Sequence, residues 1–320
     1  MNFKPILIIP GEPKSIFYEI FFKSLKIKKF KSTIILIGCK NLLKKELKRY
    51  KVKKPLKIIE LEKIRFLNLS NTSINIIHVP GIKNDNNSNL KMINQYLNNC
   101  FDIALKLIKE KYTKKLINGP INKKKFLNKN FLGVTEYISK KFKIKNFGML
   151  IYNKELSVCP LTTHLPIKLV SKKISKTLIT ERLKMITNFY KENLYFKPKI
   201  AVVGLNPHCE SILRYNEDDK IIKPAIKYSK KRGLLVYGPY PADTIFLKQN
   251  RKKFNVIMGM YHDQVLTPIK TLYEYNAINI TMGLPFLRVS PDHGPNEKMI
   301  NKNLSNPNSL IESLTFLDRN

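Results

Sequence analysis

Three of the chain's five histidines stand in the same kind of place. His164 in "VCPLTTHLP", His208 in "IAVVGLNPHCE" and His262 in "VIMGMYHDQ" each follow a short apolar, β-rich run and sit among turn-forming or polar residues. That context marks the end of a buried parallel strand and the start of a loop. Ligands of open α/β sheets bind outside such carboxyl ends. Neutral imidazole is the commonest side-chain ligand for borderline divalent ions, and three with a position left open describe a catalytic Lewis-acid site rather than a closed structural one. Each histidine alone reads more naturally as a hydrogen-bonded strand-end residue; three in matching contexts favour a shared ion. His78 in "NIIHVPG" lacks polar neighbours and is assigned to structure. Asp243 in "YGPYPADTIF" and Asp263 in "MYHDQ" are placed to orient a ligand histidine or to move a proton. Lys270, Asn279 and Arg288 follow on consecutive elements, with donors suited to a phosphate or carboxylate.

The elements that must position these residues alternate between strand and helix. Strand-like runs include "PILIIP", "STIILIG", "INIIHVP", "KKLING", "GMLIYN", "LSVCPL", "KIAVVGL", "LLVYGP", "NVIMGM" and "AINITMG". Between them lie lysine-rich stretches with helical spacing, such as "NQYLNNCFDIALKLIKEKY" and "TLITERLKMITNFYKENL". The alternation predicts an α/β protein, its sheets covered by helices. "GIKNDNNSN" (81–89) reads as an exposed loop, and no composition shift marks a domain boundary.

At 320 residues and 43% hydrophobic content the chain is globular, with a large core. No apolar run approaches the ~20 residues of a membrane helix, and the first apolar segment is short for a signal peptide, which points to the cytoplasm. Cys39, Cys100, Cys159 and Cys209 are scattered and read as buried thiols. The formal net charge of +36 is spread along the whole chain, in company with abundant Ile and Asn. Without a reading element, that spread describes solvated helix faces and a biased coding sequence rather than a specific nucleic-acid surface.

The motifs, taken together, carry a resemblance. "IIPGEP", "GPINK", "GVTE", "TTHLP", "GLNPH", "GPYPADT", "MYHDQ", "NITMGLPFLR" and "DHG" occur in the order and approximate spacing of the 4-hydroxythreonine-4-phosphate dehydrogenase family of pyridoxal 5'-phosphate biosynthesis. The resemblance spans nearly the whole chain. It implies a two-lobed α/β/α fold like isopropylmalate and isocitrate dehydrogenases, one dehydrogenase unit over residues 1–320 with a cleft between lobes. It also implies a homodimer that completes each site. His164, His208 and His262 are then the ligands of one divalent metal (Zn, Mg or Co), one of them contributed across the dimer interface. Thr135, Lys270, Asn279 and Arg288 match positions that bind the phosphorylated substrate, and NAD or NADP takes the hydride. There is no G-x-G-x-x-G; in this superfamily loops such as the one from "DHG" hold the adenine end, which points to His293 and Gly294.

Departures from the family pattern surround these positions. Ser15 and Phe17 replace glycines, Val134 stands where the family has a histidine, and "CESILRYNEDD" and "TLYEYNA" replace glycine-rich segments. They leave as alternatives a dehydrogenase of a related phosphorylated hydroxy acid, or a metal-binding homologue without dehydrogenase activity. A metal-dependent hydrolase would also use three histidines but would need no dinucleotide. A nucleic-acid-binding protein would account for the charge but not for the histidine motifs.

Overall fold

The structure, a computed structural model, describes residues 3–81, 89–122, 133–210, 215–291 and 294–319. The chain divides into two compact units, Met1–Lys143 with Leu284–Asn320, and Ile144–Gly283. Most of the segment 81–89 expected as a loop lies outside the described residues, as do Lys123 and His293. Among the described residues no helix is long and apolar enough to cross a membrane.

The first unit holds strands β1 (Ile6–Ile9), β2 (Ile34–Gly38), β3 (Leu56–Ile59), β4 (Ile74–His78), β5 (Lys115–Asn118) and β12 (Leu287–Pro291). They run in the order β3-β4-β2-β1-β5-β12, and all neighbours pair in parallel. β1 has parallel neighbours on both sides, Ile8 facing Leu36 and Ile117. Its four residues are wholly buried, which is why it is an unbroken apolar run rather than an alternating one. The helices are α1 (Phe17–Ile27), α2 (Lys40–Arg49), α3 (Leu90–Lys109), α4 (Val134–Lys141) and, at the far end of the chain, α8 (Asn308–Leu317). α3 packs on β1 and β2, and α8 packs on β12 and α1.

The second unit holds β6 (Gly148–Tyr152), β7 (Ser157–Pro160), β8 (Ile200–Val203), β9 (Val236–Tyr240), β10 (Val256–Gly259) and β11 (Ile278–Met282). Their order is β11-β6-β7-β10-β8-β9. β6 is antiparallel to both neighbours, while β7, β10, β8 and β9 are mutually parallel. Ile257 stands level with Val158 on one side and Ala201 on the other. Those three, with Val203, form one apolar face of the sheet. Helix α7 (His262–Tyr273) lays Val265 and Ile269 on that face, an i,i+4 pair that a helix presents on one side. Helices α5 (Lys176–Leu194) and α6 (Lys223–Lys231) complete the longer elements, α5 packing on β6, β11 and α6.

Each strand-like run named in the sequence is a strand in the structure, and the two helical stretches quoted are α3 and α5. β3 and β12 were not foreseen. β3 lies at the end of its row, short and lysine-flanked, with Ile58 46% exposed; β12 carries an arginine in its interior. "MYHDQ" also differs from expectation: the residue after Tyr261 opens a helix, not a loop.

Candidate active site

The four parallel strands of the second unit deliver the chemistry-bearing residues to one edge. His164 follows β7, His262 follows β10, His208 follows β8 and Asp243 follows β9, so all four lie past the carboxyl ends of neighbouring strands. Hydrogen bonds from side chains next to the histidines hold these ends in register. The Thr162 hydroxyl and backbone N–H both donate to the Met260 carbonyl, at 2.8 and 3.2 Å, tying the run before His164 to the end of β10. Gln264 closes the next gap: its Oε1 accepts from Met260 N at 2.7 Å and its Nε2 donates to the Gly204 carbonyl at 2.7 Å. The third residue of "HDQ" is therefore a staple between β10 and β8.

His262 lies in the first turn of α7 and is half-buried. Its Nδ1 is 2.6 Å from Asp263 Oδ1. A carboxylate only accepts, so Nδ1 carries the proton and Nε2 presents its lone pair, the tautomer a metal ligand needs. His164 is exposed, with φ of 54° in the left-handed region, and its ring centroid lies 6.3 Å from that of His262. Two imidazoles on one ion at an N–metal distance near 2.1 Å have centroids about 5.3 Å apart at a tetrahedral angle and about 6.5 Å apart when linear, so this pair stands about 1 Å wider than a shared tetrahedral cation would hold it.

His208 occupies a single 3-10 turn, Pro207–Cys209, in which His208 and Cys209 both take left-handed φ, 57° and 62°. Burial first, then the carboxylate of Asp218, pushes the Cys209 thiol up, and Asp243 adds a smaller push. β9, which Asp243 follows, packs against the His208 turn. Among the described residues no three His, Cys, Asp or Glu side chains of one chain gather closely enough to hold an ion; the His164–His262 pair is what the chain brings together. Lys270 lies on α7 about 12 Å along the axis from His262 and is half-buried; Asn279 is the half-buried second residue of β11, opposite Ile151.

In the first unit the structure joins two residues expected to bind substrate. Arg288, 3% exposed, donates from Nη1 to Thr135 Oγ1 at 3.0 Å and from Nε to Asn118 Oδ1 at 2.8 Å. Burial lowers its pKa to about 10, with the charge of Glu136 acting the other way, so it stays cationic at neutral pH. Val134, one residue before Thr135, is buried. Gly294 precedes Pro295, whose carbonyl accepts from Ile16 N at 3.2 Å just ahead of α1.

Sequence reasoning missed Asn118, Asp218 and the role of Gln264. Scarcity was the available signal for Asp218: the chain has 23 acidic residues against 59 basic ones, yet Glu217, Asp218 and Asp219 stand together just after the His208 segment. Asn118 ends an apolar strand immediately before "GPIN", where a polar side chain must find a buried partner.

The family "Pyridoxal phosphate biosynthetic protein PdxA" matches residues 30–317. A 4-hydroxythreonine-4-phosphate dehydrogenase of Sulfurihydrogenibium sp. is 35% identical over 314 residues, covering 97% of this chain and 96% of the relative. A D-threonate 4-phosphate dehydrogenase of Salmonella typhimurium is 30% identical over 305 residues, covering 92% of each. Among solved structures, a 4-hydroxythreonine-4-phosphate dehydrogenase from Klebsiella pneumoniae superposes with a TM-score of 0.83 at 27% identity, covering 98% of both chains. A β-decarboxylating dehydrogenase from Thermococcus kodakarensis shares the fold, with a TM-score of 0.51 at 11% identity over 98% of this chain and 82% of that one.

Proposed function

The chain belongs to the PdxA family of pyridoxal phosphate biosynthetic proteins, whose members are dehydrogenases, and from that premise we propose that it oxidises 4-phosphohydroxy-L-threonine. The acceptor is NAD or NADP, the site is assisted by one divalent metal, and the β-keto acid formed decarboxylates to 3-amino-2-oxopropyl phosphate. One observation supports this above the others: His164, His208, His262 and Asp243 all lie past the carboxyl ends of four adjacent parallel strands, where α/β enzymes bind their ligands.

A bound nicotinamide would supply the hydride acceptor, and His164, His262 and His208, one of them from a second copy of the chain, would hold an ion that supplies charge stabilisation at the reacting oxygen. The chain's own residues do the rest. Asp263 fixes the ring of His262 through Nδ1. Asp243 is assigned the hydroxyl proton. Arg288, oriented by Asn118 and Thr135, grips the phosphate bidentately, with Lys270 and Asn279 as further donors. His293 and Gly294 are assigned to the dinucleotide.

The D-threonate 4-phosphate dehydrogenase relative favours a second reading, in which the substrate carries a hydroxyl instead of the amino group. Following reduced nicotinamide with purified protein, a zinc, magnesium and cobalt series, and each of the two phosphorylated substrates decides between them. Turnover of the amino substrate with the larger kcat/KM is the expected result. Turnover of only the D-threonate ester transfers the assignment to the second reading, and turnover of neither, with a folded dimer and every metal, overturns both.

A further inference from the structure

Asp218 is fully buried, and its carboxylate meets the loop that carries His208 at three points. Oδ1 accepts from Leu205 N at 2.9 Å; Oδ2 accepts from Asn206 N at 3.0 Å and from Asn206 Nδ2 at 2.9 Å. The approach is so close that a Cβ on Gly204 would stand 2.5 Å from Asp218 Oδ1 and 2.7 Å from Cys209 Sγ, so only glycine fits there. Gly204 is itself held on both sides, its N–H by the Tyr240 carbonyl at 3.0 Å and its carbonyl by Gln264. The segment from Gly204 to Asn206 is therefore fixed at every backbone N–H, and the strained pair His208–Cys209 begins two residues later.

We propose that Asp218 is a positioning residue for His208, its buried carboxylate gathering the Leu205 and Asn206 donors so that the following left-handed turn aims the imidazole out past the end of β8. The proposal rests on the reading of His208 as a metal ligand. The requirement is for an anion with two accepting oxygens. A buried carboxylate is tolerated because donors converge on it, whereas an amide of the same shape sets an NH2 group against one or two of those N–H donors. Asp218 also opens the π-helical turn Asp218–Ile222, which runs into α6. Its place is set from that side by Asn216 and Asp219, whose hydrogen bonds do not touch the histidine loop.

The test is a cobalt(II) titration of the full-length protein, read by the d–d absorption of the bound ion, with melting temperature measured on the metal-free protein. Asp218→Asn should bind cobalt about 10-fold or more weakly, with an altered spectrum. Asn216→Ala, which disturbs the same π-helical turn without touching Leu205 or Asn206, should keep the parent's affinity and spectrum even if its melting temperature falls as far. Parental affinity and spectrum in Asp218→Asn would overturn the proposal, as would an equal loss in Asn216→Ala, since that is mere destabilisation. If Asp218→Asn does not fold, Asn206→Ala removes the side-chain donor, which serves both Asp218 Oδ2 and, at 3.1 Å, Glu217 Oε2, and Glu217→Gln serves as its control; about 3-fold weaker binding in Asn206→Ala alone is then expected, and unchanged binding, or an equal loss in Glu217→Gln, overturns the idea. His208→Ala separates the two levels: if it binds cobalt as the parent does, the metal-ligand reading itself fails, and if it alone loses the ion, only the role of Asp218 fails.

Discussion

At the scale of the residue, Arg288 shows how much a single side chain can be committed in advance. With Nε on Asn118 and Nη1 on Thr135, the guanidinium plane is set before any ligand arrives, which spares the rotamer entropy a free arginine would lose on binding. Lysine at this position offers a point charge with no fork and leaves the buried Asn118 oxygen without its donor. Arg288→Lys should raise KM for the phosphorylated substrate by about 10-fold or more while changing kcat far less; steady-state kinetics on both parameters checks this. The types and contexts of His164, His208, His262 and Arg288 were open to sequence reasoning because imidazole and guanidinium have few reasons to follow apolar runs. Asp218, Asn118 and Gln264 were not, because they act on backbone groups brought near only by folding, and a hydrogen bond to a distant carbonyl leaves no local pattern.

At the scale of the element, the strands could be read and their junctions could not. Buried parallel strands are continuous apolar runs, so most were evident; β3 and β12, one at the end of its row and one interrupted by Arg288, lack that signature. Junctions depend on contacts between strand ends. A Cβ on Gly119, just past β5, would stand 2.1 Å from the Pro10 carbonyl oxygen just past β1. Gly119→Ala should therefore cost about 3 kcal/mol, measured by denaturant unfolding, since backbone on backbone has no flexible side chain to yield. His78, at the end of β4, accepts a hydrogen bond from Lys40 N at the start of α2, at 3.3 Å. Burial and then the Lys40 charge lower its pKa from the ordinary 6.5. The folded state thus binds this proton less readily than the unfolded one, so the stability His78 contributes is intact above about pH 6.5 and is lost as pH falls below it. Between about pH 7.5 and about pH 5.5 the parent's melting temperature should drop further than that of His78→Asn, which keeps an acceptor and does not titrate.

At the scale of the whole molecule, the charge of +36 is a property the proposed chemistry does not need. Spread over helix faces, it should attract polyanions without reading them. In a retardation assay, DNA of any sequence should bind at low ionic strength and be released by about 200 mM salt; retention of one sequence above that would reveal a specific surface. The first unit is made of two stretches of chain with the second inserted between them, and the order of synthesis gives that a consequence. As the ribosome works from the amino terminus, β1 to β5 emerge early but lack β12 and α8. The inserted unit, translated without interruption, already has every strand of its own row. Nascent chains that have emerged from the ribosome only as far as Gly283 should thus carry one finished body beside an unfinished one whose apolar strands await the last segment, making that interval the point at which ribosome-associated chaperones have most to hold.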